Sequence, residues 1–509
     1  MKNNILLLAI FLIFNHIVFS QSKVIKELDA TYAKSMKDWD VPGMGISIVN
    51  KDGIIFEKGY GVKSTATKEK VDEHSIFAVA SNSKAFTSTA LAILVDEGKL
   101  QWNQKVRHYL PWFELYDPYV SSEFTIRDLL CHRSGLATFS GDLLWYGSSY
   151  SAEEVVRKAK GLKPVNGFRE AYGYQNIMFM AAGLIIEEVS GQSWVEFVES
   201  RILKPTGMNE TLSSITQFKV STNKAEPHNT KEGQTYPIDW VNWDNVVAAG
   251  GLISSAHDFG LWIQLQLNKG KLGEQSVFSE ARCYEMQEIN TPKPIGNWSR
   301  NNFPDKTVSG YGLGWEVWIY KGYKVVSHGG GYDGMISQSF FVPEKGFGGV
   351  FLTNSLSNLS YALMFETIER MLGAESSDVP GKLLEIVKQG EENDLKELQE
   401  FENARIKNTK PSLTMEDYVG TYTDEYYGDC VLSLNNGKLE FIFSPTPLFQ
   451  GSLEHWHFDT FRLSWSTKMM LPQGTAQFIL DEEGNVTELK IDVPNPDFDF
   501  TELKFIRTE

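Results

Sequence analysis

The stretch SIFAVASNSKAFTSTALAILVDEGKL, Ser75–Leu100, carries the pattern that decides the fold. A short apolar run, Ile76–Ala80, leads into Ser81, and apolar residues then recur at helical spacing until Gly98 offers a C-terminal cap. The pattern predicts that an apolar segment ends and a helix begins close to Ser81. Ser81 is therefore expected at the first turn of a helix whose body is buried.

Lys84 follows Ser81 by three residues, on the same face of the predicted helix, so its amine can reach the serine hydroxyl. A serine needs a neighbouring base to become a nucleophile, and the positive end of a helix stabilises the anion formed on attack. The same spacing recurs at Ser221–Lys224, but in a polar segment that opens no apolar helix. Ser83 has no basic residue three or four positions later. The pattern favours Ser81 as the nucleophile; the alternative is a helix cap with a solvated lysine.

A second candidate motif, YGYQN, stands directly before the helical pattern IMFMAAGLIIEEVSG. It places Tyr174 and Asn176 two residues apart at the start of that helix. A phenol beside a lysine ammonium can be driven towards the phenolate and act as a base, and an amide can orient a lysine and a substrate carbonyl. Tyr172 also precedes the helix but has no asparagine two residues on. Simple packing of the tyrosine is the alternative interpretation.

The stretch SHGGGYDG, Ser327–Gly334, allows four interpretations: a phosphate loop, a metal loop, an esterase oxyanion loop or a flexible turn. A phosphate loop is disfavoured because no Gly-Lys-Ser/Thr follows the glycines, and a metal loop lacks partner ligands. The esterase loop would accompany a Gly-x-Ser-x-Gly elbow, which this chain lacks. The histidine and glycines fit best at a sheet edge that closes over Ser81.

The chain has 509 residues, enough for a large catalytic domain and a smaller one beside it. A net charge of −17 argues against a nucleic-acid partner, since nucleic acid requires a basic face. The cysteines are far apart and odd in number, so they do not form a disulfide framework: Cys131, Cys283 and Cys430. His455 and His457 are two metal ligands without a third. We expect neither a metal nor a cofactor.

The first 22 residues, MKNNILLLAIFLIFNHIVFSQS, have the layout of a secretory signal peptide. Lys2 precedes the apolar run Ile5–Phe14, and the small residue Ser20 marks a cleavage point, so residues 1–20 are predicted to be removed. An uncleaved anchor is the alternative, but the apolar run falls short of the roughly 20 residues that a membrane span needs. We therefore expect an exported protein, periplasmic or extracellular, with no stable membrane anchor.

Strand patterns occur at both ends of a long region. Gly45–Gly61 predicts two strands around an Asp-Gly turn, and Ser337–Asn354 predicts a second hairpin around Pro343–Gly346. Mostly helical patterns lie between them, including one that Ser255 and Asp258 would cap. Strands from both ends with helices inserted between them suggest one mixed sheet and a helical subdomain.

The composition changes after this region. Residues 376–410 are rich in charge with a loose helical period, which predicts a connecting helix with a solvated face. Residues 411–509 show short strand patterns, with turns at Asn436-Gly437 and at Gly484. Regular short strands of this kind predict a small all-β barrel or meander.

Three motifs, in this order, resemble the active-site motifs of the serine β-lactamase and penicillin-binding-protein superfamily: Ser81-Asn82-Ser83-Lys84, Tyr174-Gln175-Asn176 and His328-Gly329-Gly330. The segments TIRDLLCHRSGLAT and AAGGLISSAHDFG also resemble its class C β-lactamase-related branch, which includes esterases and D-amino-acid-specific peptidases. The resemblance implies an α/β (α+β) domain over residues 21–375, with a mixed antiparallel sheet flanked by helices. The tail resembles a lipocalin-like domain that some members carry, where it is associated with assembly and with restricted access to the active site.

The resemblance also implies roles for individual residues. Ser81 would be acylated, Lys84 would help to deprotonate it, and Tyr174 would act as general base in acylation and deacylation. Asn176 would contact the substrate amide. The backbone N–H groups of Ser81 and Gly331 would hold the oxyanion.

The third motif departs from that of the antibiotic-hydrolysing members, which usually have Lys-Thr-Gly or Lys-Ser-Gly to receive a substrate carboxylate. Here His328 is expected to be charged only part of the time near neutral pH, and Gly329 offers no hydroxyl. Glycine at 329 and at Gly330 lets substrate approach the backbone closely. His132 near Ser134 invites a Ser–His interpretation, but this segment resembles a structural element of the family. Whether His132 or His328 takes part in catalysis stays open.

Together these patterns predict a secreted serine hydrolase that forms an acyl-enzyme on Ser81 and hydrolyses an amide or ester bond, with D-amino-acid-containing peptides as candidate substrates. One alternative is β-lactamase or DD-carboxypeptidase activity. Another is a non-catalytic ligand-binding or sensor protein that has kept the fold. The expected partner is a small-molecule or peptide substrate, with a homo-oligomer through the C-terminal domain left open. Specificity would come from loops such as Phe139–Pro164 and Thr291–Thr307.

Overall fold

A computed structural model of the protein describes residues 22–220, 223–231, 233–466, 471–495 and 497–508. The proposed signal peptide, residues 1–20, lies outside them, as does Ser221 of the second Ser-x-x-Lys sequence. No helix within the described ranges is long and apolar enough to cross a membrane.

The first part of the chain forms one eight-stranded sheet and three two-stranded pairs. The strands are β1 Gly43–Asn50, β2 Ile54–Gly61, β3 Ile76–Ala78, β4 His228–Lys231, β5 Gln234–Pro237, β6 Ile253–Ser255, β7 Lys271–Leu272, β8 Gln275–Ser276, β9 Thr291–Pro292, β10 Lys306–Tyr311, β11 Glu316–Tyr320, β12 Tyr323–Tyr332, β13 Met335–Val342 and β14 Phe347–Thr353. The sheet order is β2-β1-β14-β13-β12-β11-β10-β9, with antiparallel neighbours. The first hairpin therefore pairs with the last strand, as the strand patterns at both ends of the region predict.

Helices cover both faces of the sheet and form a subdomain beside it. They are α1 22–38, α2 Ser83–Asp96, α3 Val106–Tyr109, α4 Pro118–Glu123, α5 Ile126–Leu130, α6 Ala152–Lys158, α7 Asn176–Ser190, α8 Trp194–Val198, α9 Lys204–Thr206, α10 Val247–Gly250, α11 Ala256–Leu267, α12 Glu280–Met286, α13 Asn297–Asn302, α14 Leu359–Met371 and α15 Val379–Asn403. Short 3₁₀ helices occur at Ala80–Asn82, Asp142–Leu144, Ala159–Gly161, Ile215–Val220, Asp244–Val246, Met415–Tyr418 and Phe500–Glu502, and a π-helical turn at Glu199–Leu203.

Strand β1 shows why the sheet is covered on both faces. Met44, Ile46 and Ile48 alternate along it and pack in one apolar cluster with side chains of α1 and α14. Val49 points the other way and packs in a second cluster with Trp262 of α11. Burying one such side chain stabilises the fold by about 1.5–3 kcal/mol, so the alternation fixes the register of the central strands.

The capping prediction for α11 is met in part. The Ser255 hydroxyl accepts a hydrogen bond from the Asp258 backbone N–H at 3.1 Å, as an N-cap should. The Asp258 carboxylate does not return the bond to Ser255. It accepts instead from the backbone N–H and the hydroxyl of Thr211, at 2.8 and 2.9 Å, and so ties Thr211 to the start of α11.

The last part of the chain is a closed antiparallel barrel, reached through the long helix α15. Its strands are β15 Gly420–Asp424, β16 Gly428–Asn435, β17 Lys438–Phe443, β18 Thr446–His457, β19 Thr460–Trp465, β20 Gly474–Leu480, β21 Val486–Asp492 and β22 Phe505–Arg507. Leu439, Phe441 and Phe443 of β17 are buried and alternate with exposed residues, so they fill the barrel interior. The predicted turns at Asn436-Gly437 and Gly484 both join neighbouring strands of this barrel.

Candidate active site

Ser81 lies in the tight turn Ala80–Asn82 that leads directly into α2. Ala80 holds a left-handed backbone conformation with φ of 45°, which is unfavourable for a residue with a Cβ and is often found next to reactive groups. The Ser83 hydroxyl donates to the Ala80 carbonyl at 2.7 Å and accepts from the Leu252 N–H at 3.1 Å. Ser83 thus secures the turn, and Ser81 is the hydroxyl left beside the cavity.

Asn82 fastens this turn to the sheet, a role that sequence reasoning missed. Its amide donates to the Ser337 hydroxyl at 2.8 Å and accepts from the Ser339 hydroxyl at 2.6 Å. The Ser337 hydroxyl in turn donates to the Val79 carbonyl at 2.7 Å. Asn82 is fully buried, so these bonds are shielded from water and fix Ser81 against β13.

Lys84 is completely buried and points at the Ser81 hydroxyl. Its amine lies 3.0 Å from the Ser81 hydroxyl and donates to the Asn176 amide oxygen at 2.7 Å and the Ala249 carbonyl at 2.8 Å. Burial lowers the pKa of Lys84 to about 7, against the opposing charge of Asp142. About half of the amine is therefore neutral at pH 7, with a lone pair that can accept the serine proton.

Tyr174 lies on the other side of Ser81. Its hydroxyl shares a hydrogen bond with Ser81, and its ring centroid lies 4.7 Å from the Lys84 amine. Burial raises the pKa of Tyr174 well above its ordinary value. The expectation that the lysine drives this phenol towards phenolate is therefore wrong for the free protein. Tyr174 is a neutral hydroxyl that can pass a proton rather than a standing base.

Asp142 completes the cluster and was not singled out in the sequence. Its carboxylate accepts from the Asn176 amide at 2.6 Å and from the Trp145 indole at 2.8 Å, which turns the oxygen of Asn176 towards Lys84. Burial raises the pKa of Asp142 to about 7. The signal that could have identified it is a lone carboxylate in the apolar sequence SGDLLWYG, within the loop predicted to set specificity.

His328 lies on β12 across the cavity from the lysine. Its Nδ1 is 2.6 Å from the Gly329 carbonyl and its Nε2 is 2.7 Å from the Tyr311 hydroxyl. Burial lowers the pKa of His328 to about 4, and the Lys84 charge contributes. The expected partial charge near neutral pH is therefore wrong. Because a carbonyl only accepts, Nδ1 carries the proton and Tyr311 donates to Nε2.

The glycines of the third motif bring β12 against the start of α2. A Cβ placed on Gly330 would lie 2.2 Å from the Val79 carbonyl and 3.1 Å from the Ser81 backbone nitrogen, so only glycine fits there. Gly331 is exposed and lines the cavity with Gly329. The Ser81 N–H belongs to the first turn of the helix, where N–H groups have no partner within the helix. This arrangement can form an oxyanion site with Gly331.

His132 and Ser134, the two candidate residues of the CHRS segment, have structural roles. His132 is fully buried, and its Nδ1 accepts from the Gln175 backbone N–H at 3.0 Å. Its ring packs 4.2 Å from that of Tyr174, and burial keeps its pKa well below the ordinary range. The Ser134 hydroxyl accepts from the Leu136 N–H at 3.2 Å. Neither side chain bonds to Ser81, but His132 positions Tyr174.

A cavity of about 780 Å³ opens over Ser81, with walls from both parts of the chain. The loop that follows Phe139 contributes Asp142, Trp145 and Tyr146, as predicted for a specificity loop. No described residue of Thr291–Thr307 lines it. The barrel contributes a further wall. The resemblance of the tail implies restricted access to the active site, but the sequence did not indicate which residues line the cavity: Leu471, Pro472, Pro494, Asn495, Asp497 and Phe498.

The remaining candidate ligands make ordinary contacts. His455 Nε2 lies 3.0 Å from the Phe458 carbonyl, and His457 Nδ1 accepts from the Ile406 N–H at 3.4 Å. Within the described residues there is no group of three or more side chains suited to a metal ion. The three cysteines are buried free thiols.

Comparison with known families agrees with this geometry. A model of the Beta-lactamase family matches residues 28–368, the part of the chain that holds Ser81, Lys84, Tyr174 and His328. The chain belongs to this family. A second model, for a domain of unknown function (DUF3471), matches residues 404–507, which include the barrel.

The named proteins to which this chain is similar include hydrolases. Unguisins hydrolase ungD' of Aspergillus campestris is 27% identical over 425 residues, which cover 79% of this chain and 76% of that protein. Protein flp of Staphylococcus aureus is 26% identical over 337 residues, 65% of this chain and 63% of that protein. Among solved structures, the octameric penicillin-binding protein homologue from Pyrococcus abyssi aligns with a TM-score of 0.63 and 20% identity, over 95% of this chain and 100% of that one. The last likeness concerns the fold alone.

Proposed function

We propose that this member of the Beta-lactamase family is an exported hydrolase that cleaves an amide or ester bond through an acyl-enzyme on Ser81. The observation that carries this proposal is the fully buried amine of Lys84, 3.0 Å from the Ser81 hydroxyl with a pKa near neutrality. A lysine that served only packing would not need to lose its charge beside a serine.

Acylation follows from these contacts. The Ser81 oxygen bonds to the substrate carbonyl carbon while neutral Lys84 takes its proton, and the carbonyl oxygen becomes an oxyanion. The backbone N–H groups of Ser81 and Gly331 stabilise that charge. When the tetrahedral centre collapses, the bond to the leaving nitrogen or oxygen breaks. The proton on Lys84 reaches the leaving group through the Tyr174 hydroxyl, which contacts Ser81.

Deacylation repeats the sequence with water in place of serine. The attacking water gives its proton to the Lys84–Tyr174 pair, and the new tetrahedral centre expels the Ser81 oxygen, which regains a proton. Asn176, held by Asp142, keeps the lysine amine in place during both steps. The Ser81 hydroxyl contacts both Lys84 and Tyr174, so both groups lie where the proton of the reacting oxygen must pass.

The third motif favours amide or ester substrates over β-lactams. Neutral His328 supplies no fixed cation for a substrate carboxylate. The relatives named unguisins hydrolases are further support for a hydrolase. Peptides that contain D-amino acids remain our candidate substrates. A non-catalytic sensor has less support, because a binding protein does not need Ser81, Lys84 and Tyr174 in mutual contact.

Labelling with a fluorophosphonate probe tests the nucleophile. We expect covalent labelling of the wild-type protein and a complete loss in Ser81→Ala, because the Ser81 hydroxyl lies beside the buried Lys84 amine. The matched control is Ser83→Ala, whose hydroxyl bonds to backbone groups; it should still label. Persistent labelling of Ser81→Ala would contradict the assignment of Ser81 as the nucleophile.

A substrate panel tests the reaction. We expect turnover of p-nitrophenyl esters or D-amino-acid p-nitroanilides, with acyl-Ser81 trapped and identified by mass spectrometry, and slow turnover of nitrocefin. Rapid nitrocefin hydrolysis would instead favour β-lactamase activity over activity on esters and amides. A single slow acylation without release of product would instead support a sensor.

Export and assembly are also proposals. N-terminal sequencing of the protein from a secreting host should find a mature chain that begins near Gln21. Size-exclusion chromatography with light scattering, on the full chain and on a chain without residues 411–509, would test a homo-oligomer built through the barrel. A monomer in both forms would contradict it.

A further inference from the structure

An ion pair lies in the wall of the Ser81 cavity. Glu316, the first residue of β11, lines the cavity, and its side chain is 34% exposed. Its carboxylate is bound by the amine of Lys293, the residue that follows β9. Lys293 itself does not line the cavity. The carboxylate therefore lies between the lysine and the space where substrate binds.

The pair lies at the end of the cavity that holds the third motif. Glu316 pairs across the sheet with the residue that precedes His328. Burial lowers the pKa of His328 most, and the charges of Glu316 and Lys293 also act on it, in opposite directions. The His328 ring lies 6.3 Å from the ring of Tyr174, which contacts Ser81. The ion pair is therefore only one side chain away from the reacting groups.

Lysine charges keep the Glu316 carboxylate ionised. Burial alone would raise the pKa of Glu316, but the charge and hydrogen bond of Lys293, together with the charge of Lys306, hold it below its usual value. The Lys293 amine also lies 4.6 Å from the ring centroid of Tyr172, another residue of the cavity wall. Removing the charge of Glu316 would thus leave an amine at this wall available to another anion.

The main effect of this ion pair is on the charge that a substrate meets. A pair with this much exposure contributes little to stability, because water screens it and two long side chains lose freedom. The Glu316 carboxylate repels a substrate carboxylate, and it occupies the amine that would otherwise receive one. Proteins commonly achieve specificity in this way, by rejecting the wrong ligand.

We propose that Glu316 determines substrate specificity as a built-in carboxylate, which saturates Lys293 and so excludes substrates with a free carboxylate beside the scissile bond. The inference rests on the proposed function, because it concerns the same cavity. It goes beyond the neutrality of His328. A cation is present at this end of the cavity, and the protein's own side chain blocks it.

Paired ester substrates test the inference. Phenyl acetate is compared with meta-carboxyphenyl acetate, which adds a carboxylate to the leaving group, and p-nitrophenyl butyrate with p-nitrophenyl hydrogen succinate, which adds one to the acyl group. We expect the wild-type protein to hydrolyse the neutral ester of each pair faster. Glu316→Gln keeps the size of the side chain and removes its charge. It should raise kcat/KM for the carboxylate ester at least about tenfold relative to its neutral partner, in one pair or both, since charge-assisted hydrogen bonds are the strong ones. An unchanged ratio in both pairs would overturn the inference.

Further variants show whether Lys293 is the receptor. The double variant Glu316→Gln/Lys293→Gln should lose most of the gain, because no amine remains to bind the substrate carboxylate. Lys293→Gln alone leaves the charge of Glu316 unpaired, so it should hydrolyse the carboxylate esters more slowly than the wild type; it gives an independent result should Glu316→Gln fail to fold. A gain that persists in the double variant, or faster hydrolysis of the carboxylate esters by Lys293→Gln, would contradict the inference.

The matched control removes a carboxylate from an ion pair elsewhere. Glu280 pairs with Lys269 and lines no part of the Ser81 cavity, so Glu280→Gln should keep the wild-type ratios. Fluorophosphonate labelling and melting temperature are measured on every variant. Unchanged ratios in variants that fold and label would contradict the role of Glu316 and leave the acyl-enzyme on Ser81 standing. Absence of labelling and of ester turnover in the wild type would contradict the proposed function, and this inference with it.

Discussion

At the scale of single residues, we expect the protonation state of Lys84 to determine how the reaction rate depends on pH. Its amine can accept the serine proton only when it is neutral, and burial places its pKa at about 7. We therefore expect kcat/KM to fall as the pH drops through about 7 and to reach a plateau above it. The measurement is a pH–rate profile on a neutral ester. His328 should not contribute, since its pKa of about 4 lies outside this range.

Asp142 provides the check on this assignment. Its charge raises the pKa of Lys84, so Asp142→Asn should move the inflection to lower pH, by about one unit. Asp142 itself has a pKa raised to about 7, so the wild-type inflection belongs to the coupled pair. Asp239→Asn, remote from the lysine, should leave the profile unchanged. If the inflection of the pH–rate profile does not move in Asp142→Asn, a group other than Lys84 titrates in this range.

At the scale of elements, the contact between β12 and the start of α2 positions the backbone N–H groups of the proposed oxyanion site. Gly330→Ala puts a methyl group 2.2 Å from the Val79 carbonyl, a clash with backbone that cannot rotate away. We expect it to push the strand from Ser81, reducing kcat by about tenfold to a hundredfold, since misplacement by 1 Å costs on this order. Single-turnover acylation kinetics would measure it.

Gly331, the neighbouring glycine, provides the control variant for Gly330→Ala. At Gly331 an added Cβ would meet only the Ile336 side chain, at 3.8 Å, so Gly331→Ala should fold normally. Its melting temperature should match the wild type, while that of Gly330→Ala should fall. Equal acylation rates in Gly330→Ala and the wild type would show that the close approach is unimportant for catalysis.

Sequence patterns are sufficient to predict those contacts of the candidate site that are local along the chain. The Ser81–Lys84 contact follows from helix spacing, and Tyr174 and Asn176 from their place at a helix start. The contacts from Asn82 to Ser337 and from Asp142 to Asn176 join distant segments, which no local period encodes. The charge states of Tyr174 and His328 were predicted wrongly for a related reason. Burial determines them, and burial depends on the packed molecule.

At the scale of the whole molecule, Glu502 links the barrel to the catalytic cluster. Its carboxylate accepts from the Ser140 hydroxyl at 2.5 Å, the Gly141 N–H at 2.9 Å and the Tyr427 hydroxyl at 2.6 Å, directly before Asp142. Glu502→Ala should weaken this attachment by about 2 kcal/mol and lower kcat/KM severalfold.

Kinetics and thermal melting together measure the effect of Glu502→Ala. Glu483→Ala, an exposed residue in the turn between β20 and β21, is the matched control and should behave like the wild type. If Glu502→Ala keeps full activity, the barrel does not support the loop that holds Asp142. A melting temperature that falls without any change in kinetics would assign the contact to stability alone.

The wall that Pro494, Asp497 and Phe498 add to the cavity has a consequence for biosynthesis. The last residues that hold Ser81 in place, Ser337 and Ser339, leave the ribosome more than 150 residues before these side chains, an interval on the order of ten seconds at usual translation rates. During that interval the nascent chain has a reactive serine but an unfinished substrate enclosure. Full selectivity therefore arises only once the last hundred residues have folded, which ties maturation of the enzyme to completion of its synthesis.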